Sequence, residues 1–155
     1  MATVKTQGTK LYFDNSGVVT ELSCPTGITG LGGAADQIET TCLQDTTDRT
    51  YTRGLGNPGQ VSVPFNLDPT NTSHQTLITL RDSGEIVNWL ACLSDGATAP
   101  TVVDSNGVIT PPANRTSFGF NAYVADVTID IATNEIVRGT LTLQRSGAVT
   151  ATWIV

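Results

Sequence analysis

The sequence predicts a mainly β fold: a two-sheet β-sandwich or distorted barrel with one flanking α-helix, at about residues 73–83, and a long early loop. Three observations carry this. Thr is the commonest residue and Val is abundant, and β-branched side chains favour half-buried pleated surfaces. Several short runs alternate apolar and polar residues with a period of two, the mark of strands with one face on a core. A single segment carries helix signals at both ends. A chain of 155 residues suits one domain, and a domain of that size buries roughly 70% of its unfolded surface.

The elements follow in order. A strand-like run from Val18 leads into a glycine corner, Cys24-Pro25-Thr26-Gly27-Ile28-Thr29-Gly30-Leu31-Gly32-Gly33. A second run, Gln37 to Leu43, feeds a glycine-rich segment from Asp45 to Gly59. Connections in compact domains are mostly about 4–6 residues, and those beyond about 12–15 are functional or disordered. This one holds both charge signs, Tyr51 and Leu55, so it is read as a contact element. The next strand, Gln60 to Leu67, points Val61, Val63, Phe65 and Leu67 one way. Pro64 has no N–H for a ladder, so this strand is an edge or carries a bulge.

Asp68-Pro69-Thr70-Asn71 ends that strand, and Thr72 with Gln75 reads as a capping box. Leu77, Ile78 and Leu80 form a narrow apolar stripe, and Gly84 stands where a C′ glycine belongs. Val87, Trp89, Ala91 and Leu93 alternate with Asn88 and Cys92, which predicts one polar face. Ala97 to Pro112, with Pro100, Pro111 and Pro112, reads as a surface connection. Phe118, Phe120 and Ala122 form one further apolar face; Ala125, Val127, Ile129 and Ile131 form another. Leu141 and Leu143 complete the set. Matching the apolar faces of the last two strands sets Val127 opposite Leu141 and Asp130 opposite Arg138. That register needs an odd-length loop, Ala132 to Ile136, with Asn134 at positive φ. Asp130 and Arg138 then form a cross-strand ion pair.

Composition excludes several functions. Charged residues are 14% and the net charge is −6, which argues against binding a phosphate backbone. No apolar run is long enough for a membrane-spanning helix. The N-terminal run to Lys10 has no apolar core and is not read as a signal peptide. Cys24, Cys42 and Cys92 are odd in number and without paired spacing, consistent with reduced thiols made in a cytoplasm. The sequons at Asn71 and Asn114 are therefore read as unused.

The residues offer little chemistry. His74 is the only histidine and is expected to be exposed in the first helical turn. With it, the three cysteines do not make a recognisable zinc pattern. Gly30-Leu31-Gly32-Gly33 opens no helix and lacks Lys, so it is not a phosphate cradle. Asp45 and Asp48 read as a solvated loop, with a weak cation site as the alternative. No catalytic residues, cofactor or metal are assigned, and the chain is not read as an enzyme.

The order of motifs resembles the major tail tube proteins of long-tailed bacteriophages over nearly the full chain. The resemblance rests on Gly27 to Gly33, on Asp45 to Gly59 leading into Val61-Ser62-Val63-Pro64-Phe65, and on the helix His74–Asp82. It rests also on the pair Tyr123-Val124-Ala125-Asp126-Val127 and Val137 to Gly147. The resemblance implies a single tail-tube domain over 1–155, related in fold to the type VI secretion inner tube protein. It implies hexameric rings that stack into a hollow tube, through which DNA passes into the host without specific binding. The partners it implies are further copies of the chain, a tape-measure protein, and tail-tip and tail-terminator proteins. The location is the virion tail, after synthesis in the host bacterial cytoplasm. No C-terminal immunoglobulin-like domain is expected.

Residues 1–9 are expected as a flexible arm and 45–59 as an extended loop that stacks rings, through Asp48, Arg49, Tyr51, Arg53 and Leu55. The alternative for the loop is a long hairpin packed on its own domain. The rival function, a β-sandwich adhesion or carbohydrate-binding module, calls for a secretion signal, paired cysteines or an aromatic platform, and aromatics are only 6%.

Overall fold

The computed structural model describes residues 3–154. Its order is β1 (Lys10–Asn15), β2 (Val18–Glu21), β3 (Ala35–Glu39), β4 (Tyr51–Gly56), β5 (Gln60–Asn66), α1 (Thr72–Ser83), β6 (Ile86–Cys92), β7 (Ser117–Asp130), β8 (Arg138–Arg145) and β9 (Thr150–Thr152). The fold is mainly β with one helix and two sheets. The larger sheet runs β2-β1-β6-β7-β8-β5, with β9 on the free part of β7, and every pair in it is antiparallel. The smaller sheet is β3 with β4.

β5 behaves as its alternation predicts. Val61, Val63 and Phe65 are buried, and β8 pairs along its whole length. Its other side is the sheet edge, where the chain leaving β2 returns. Asn66 N–H donates to Cys24 O at 3.1 Å, Thr26 N–H to Pro64 O at 2.8 Å, and Ser62 and Thr29 exchange bonds of 3.0 Å. Pro64 thus lacks its donor on the side away from β8. The tail of β2 covers the edge of β5, so the sheet curls, and Leu11 and Phe13 from one end share a core with Val61 and Phe65 from the other. The sheet does not close into a barrel.

α1 packs on β7 and seals the curled sheet with Leu77 and Leu80, while Ile78 is half-buried. Its start differs from the expected Thr72–Gln75 box. Asn71 is the N-cap, its Oδ1 accepting from Ser73 N–H at 2.9 Å, and Gln75 Nε2 donates to Pro69 O. Asn is as strong a cap as Thr, and Pro69 turns the chain one residue earlier. Gly84 ends the helix at φ 68°, with its N–H on Leu80 O.

His74 is buried rather than exposed, at 4%. Its ring lies 4.7 Å from that of Phe65. Asp68 N–H donates to Nδ1 at 3.0 Å, which leaves the hydrogen on Nε2 to reach Ser23 O at 2.6 Å. A histidine in the first helical turn thereby tethers the chain leaving β2 to the turn that follows β5.

Two further expectations change because burial is two-sided. β6 lies between β1 and β7, with Val87, Trp89 and Ala91 in the main core. Its predicted polar face is buried too: Leu90 and Cys92 pack with Tyr12 and Ile109. Asn88 is satisfied there, accepting from Ile109 N–H and donating to Asn121 Oδ1 and Phe120 O. Ile109 comes from Ala97–Pro112, which is no mere surface connection. It folds into a small loop through a Val103–Ile109 bridge and covers this second cluster.

β7 is one 14-residue strand where two were read. Its register against β8 shifts between Val124 and Asp126, so Ala125 is an extra, exposed residue. The bulge keeps both Val124 and Val127 inward. Ile129 and Ile131 continue the apolar phase but lie beyond the core and are exposed. The expected register holds: Val127 faces Leu141, Asp130 faces Arg138, and Asn134 has φ 62°. β1, whose Leu11 and Phe13 are fully buried, is a strand that the sequence pattern does not mark.

Of the arm over residues 1–9, Met1 and Ala2 lie outside the described residues. The carbonyls of Lys5 and Gly8 accept from Ser94 Oγ and Arg115. Arg115 is buried, and its guanidinium also reaches the carbonyls of Leu93, Cys92 and Thr98. It ties the arm to the end of β6.

Candidate functional site

The segment singled out as an extended loop contains a strand. β3 and β4 form a hairpin with Gln37 opposite Arg53 and Glu39 opposite Tyr51. Its strands pair only with each other, and almost every residue from Asp36 to Gly56 is exposed, Leu55 at 85%. The hairpin projects from the body and is not packed on it. β3 ends at Glu39, short of Leu43, where the hydroxyl of Thr41 replaces a backbone partner. Thr40 N–H donates to Thr50 O at 2.8 Å, and Thr50 N–H to Thr41 Oγ1 at 2.9 Å. Beyond them is the tip, where Asp45 Oδ2 accepts from Cys42 N–H and Leu43 is fully exposed.

Four of the five residues expected in a contact role lie on one element or beside it. Tyr51, Arg53 and Leu55 alternate along β4 and share one face. Arg49 stands at the tip, 4.0 Å from Glu39. Asp48 is exposed nearby. A lone two-stranded hairpin is marginal in water, and this one leaves apolar side chains and unpaired strand edges uncovered.

The root of the hairpin is built for close approach. Gly30 has φ 94°, and a Cβ there would stand 2.1 Å from Gln60 O. At Gly33 a Cβ would meet Asn57 O at 2.9 Å. Into this root reaches Arg145, buried at 4%. Its guanidinium donates to the carbonyls of Gly32 and Pro58, one on each side of the hairpin. Its backbone N–H and the Gln144 amide both donate to Gly59 O. Arg145 Nε is buried without a hydrogen-bond partner. A cleft of about 610 Å³ opens beside it, lined by Leu31, Arg53, Asn57, Pro58, Arg145 and Val149 among others.

The sequence carries a signal for Arg145 beyond its place in a strand motif. Leu141, Leu143 and Arg145 share the inward phase of β8, whose burial alternates throughout. An arginine in the core phase of a strand must find polar partners inside.

Elsewhere the electrostatics are sparse. Among the described residues the ion pairs are Lys10–Glu21, Arg49–Glu39 and Arg81–Asp82, all on the surface. Register sets Asp130 against Arg138, but their charged atoms do not come within 4.0 Å. Cys24 and Cys42 are exposed and Cys92 is buried. Burial pushes the Cys92 thiol up to about 11, away from reactive thiolate. Hydrogen bonds from Thr70 hold Asp68 below its ordinary value, and Thr116 does the same for Asp95. Among the described residues no group of three His, Cys, Asp or Glu side chains is placed to hold a metal, and no helix is long and apolar enough to cross a membrane.

A sequence model of the family described as phage tail tube, TTP, lambda-like, matches residues 2–155. "Structural protein 3" of Pseudomonas phage PAJU2 is 38% identical over 149 residues, covering 93% of this chain and 90% of that protein. Two solved structures share the fold at low identity. The sheath/tube terminator of the PVC extracellular contractile injection system superposes with a TM-score of 0.71 at 12% identity, over 99% of each chain. The SPP1 tail tube superposes with a TM-score of 0.67 at 12% identity, over 99% of this chain and 81% of that one.

Proposed function

The chain belongs to the lambda-like phage tail tube family, and from that premise we propose that it polymerises with itself into the hollow tube of a phage tail. The subunits form hexameric rings through the curled sheet body. The β3–β4 hairpin joins ring to ring, with Asp48, Arg49, Tyr51, Arg53 and Leu55 as its contact residues. The tube delivers DNA to the host cell, surrounds a tape-measure protein during assembly, and meets tip and terminator proteins at its ends. The single domain needs no catalytic group, cofactor or metal for this work. A net charge of −6 suits a conduit in which a polyanion slides.

One observation carries the reading: a hairpin of two strands, exposed on both faces, that one copy leaves uncovered. Folding alone gives little reason to keep such an element, because it buries almost nothing. A head-to-tail contact between identical copies covers it and generates a ring or a filament.

Replacing Thr40–Thr50 and the strands beside it by a short Gly-Ser link tests this. The natural chain is expected to form rings or tubes at high concentration, seen by negative-stain microscopy and sedimentation. The shortened chain is expected to fold, since no core residue is touched, and to make no tubes. Tubes of normal length from the shortened chain, or monomer at every concentration from the natural one, would overturn the proposal.

A further inference from the structure

We propose that the cleft at the root of the β3–β4 hairpin is a carboxylate receptor, and that its occupant is the acidic tip of the same hairpin in a second copy of the chain. This rests on the self-assembly proposed above and names the two surfaces that meet.

The receptor is the anomaly of an acidic molecule. Of eight Lys and Arg residues, two line this one cleft. Neither Arg53 nor Arg145 has a carboxylate within 4.0 Å among the described residues. Arg145 is buried, holds carbonyls with one terminal nitrogen, and keeps Nε without a partner. Carbonyl dipoles satisfy part of a buried guanidinium but do not neutralise its charge. A carboxylate entering the cleft meets the exposed guanidinium fork of Arg53, and the uncompensated charge of the buried Arg145 behind it adds to the attraction.

The tip supplies the complementary charge. Asp45 and Asp48 are exposed, and neither pairs with Lys or Arg within 4.0 Å among the described residues. Arg49, the one cation beside them, is turned to Glu39. Asp45 uses Oδ2 on Cys42 N–H and keeps Oδ1 free. The tip cannot serve its own cleft. The six residues of β4 span about 20 Å at the rise of a strand, so the tip stands about that far from Arg145 at the root, and Arg53, partway along, has neither tip carboxylate within 4.0 Å among the described residues. Tip-to-root pairing is therefore between copies and has a direction. It repeats indefinitely, because every copy that offers a tip also offers a root.

Charge reversal reads this without disturbing Arg145, whose carbonyl bonds hold the root together. A tip variant carries Asp45→Arg and Asp48→Arg, and a root variant carries Arg53→Asp. All three positions are exposed, and circular dichroism should show natural folding. Each variant alone is expected to raise the critical concentration for assembly about thirtyfold or more, by sedimentation. An equimolar mixture, in which a basic tip meets an acidic root, is expected to recover about tenfold of that loss. Natural assembly by either variant overturns this pairing and leaves the tube reading standing. So does a mixture no better than its components. A natural chain that never assembles overturns both.

Discussion

The molecule holds two long hairpins whose fates differ. β7–β8 lies inside the large sheet, with Val127, Leu141 and Leu143 in the core and α1 against β7. Its register is pinned by the Ala125 bulge and by Asn134 in the turn. β3–β4 has the same antiparallel pairing and nothing on either face. Its apolar residues, Ile38, Tyr51 and Leu55, alternate with threonine, glycine and charge and stay exposed. One hairpin is held by what it buries within the chain. The other is held at its root, by Arg145 on the carbonyls of Gly32 and Pro58. Pairing alone does not say whether a strand serves folding or assembly; the second layer does.

The largest test of that contrast removes one leucine from each. Leu141→Ala is expected to cost about 2–5 kcal/mol in urea unfolding, because the vacated space lies in a closed core. Leu55→Ala should stay within about 0.5 kcal/mol in the monomer, yet impair tube formation. Equal losses of stability would show that the exposed hairpin is part of the folded core after all.

Glycines sharpen the same line with a smaller effect. A Cβ on Gly139 would stand 2.6 Å from Cζ of the buried Phe65, its cross-strand partner. Gly139→Ala is expected to destabilise by about 1–3 kcal/mol, through overpacking. At Gly56, on the projecting hairpin, a Cβ meets nothing within 4 Å. Gly56→Ala should be neutral or stabilise by up to about 1 kcal/mol, since alanine restricts the unfolded chain. Thermal unfolding of the two variants side by side measures the difference.

The thiols give the smallest effect. Cys42 at the hairpin tip and Cys24 are open to a thiol reagent, so two fast equivalents are expected from native monomer and a third only on unfolding. Cys92 also sets a pH dependence. Its folded value, about 11, lies above the ordinary 9.0, so the unfolded chain loses this proton first. The stability it contributes is whole below pH 9 and lost as the pH rises through 11. Cys92→Ala should flatten that alkaline fall. An unchanged slope would remove Cys92 as its cause.

The candidate site was half legible. The length and mixed composition of Asp45–Gly59 marked it as a contact element, and the structure puts Tyr51, Arg53 and Leu55 on one face of it. The strand within it was hidden because Gly54 and Gly56 weaken the local pattern, and only pairing with β3 orders them. Arg145 lies 89 residues beyond Gly56 in the chain, and nothing local says that it closes the hairpin root.

The sequence by itself determined the elements whose one buried face repeats with a fixed period: β5, the apolar stripe of α1 ending at Gly84, and the register of Val127 on Leu141. Those are local rules, written in side-chain alternation and in backbone preference. Tertiary structure alone decided which second faces are covered. It buried His74 against Phe65, sealed Leu90 and Cys92 beneath Ile109, and made Ala125 a bulge so that β7 could keep both Val124 and Val127 inside. It also left β3–β4 bare. The physical reason is that alternation records a residue's own side of a strand, whereas burial depends on what the rest of the chain lays over it.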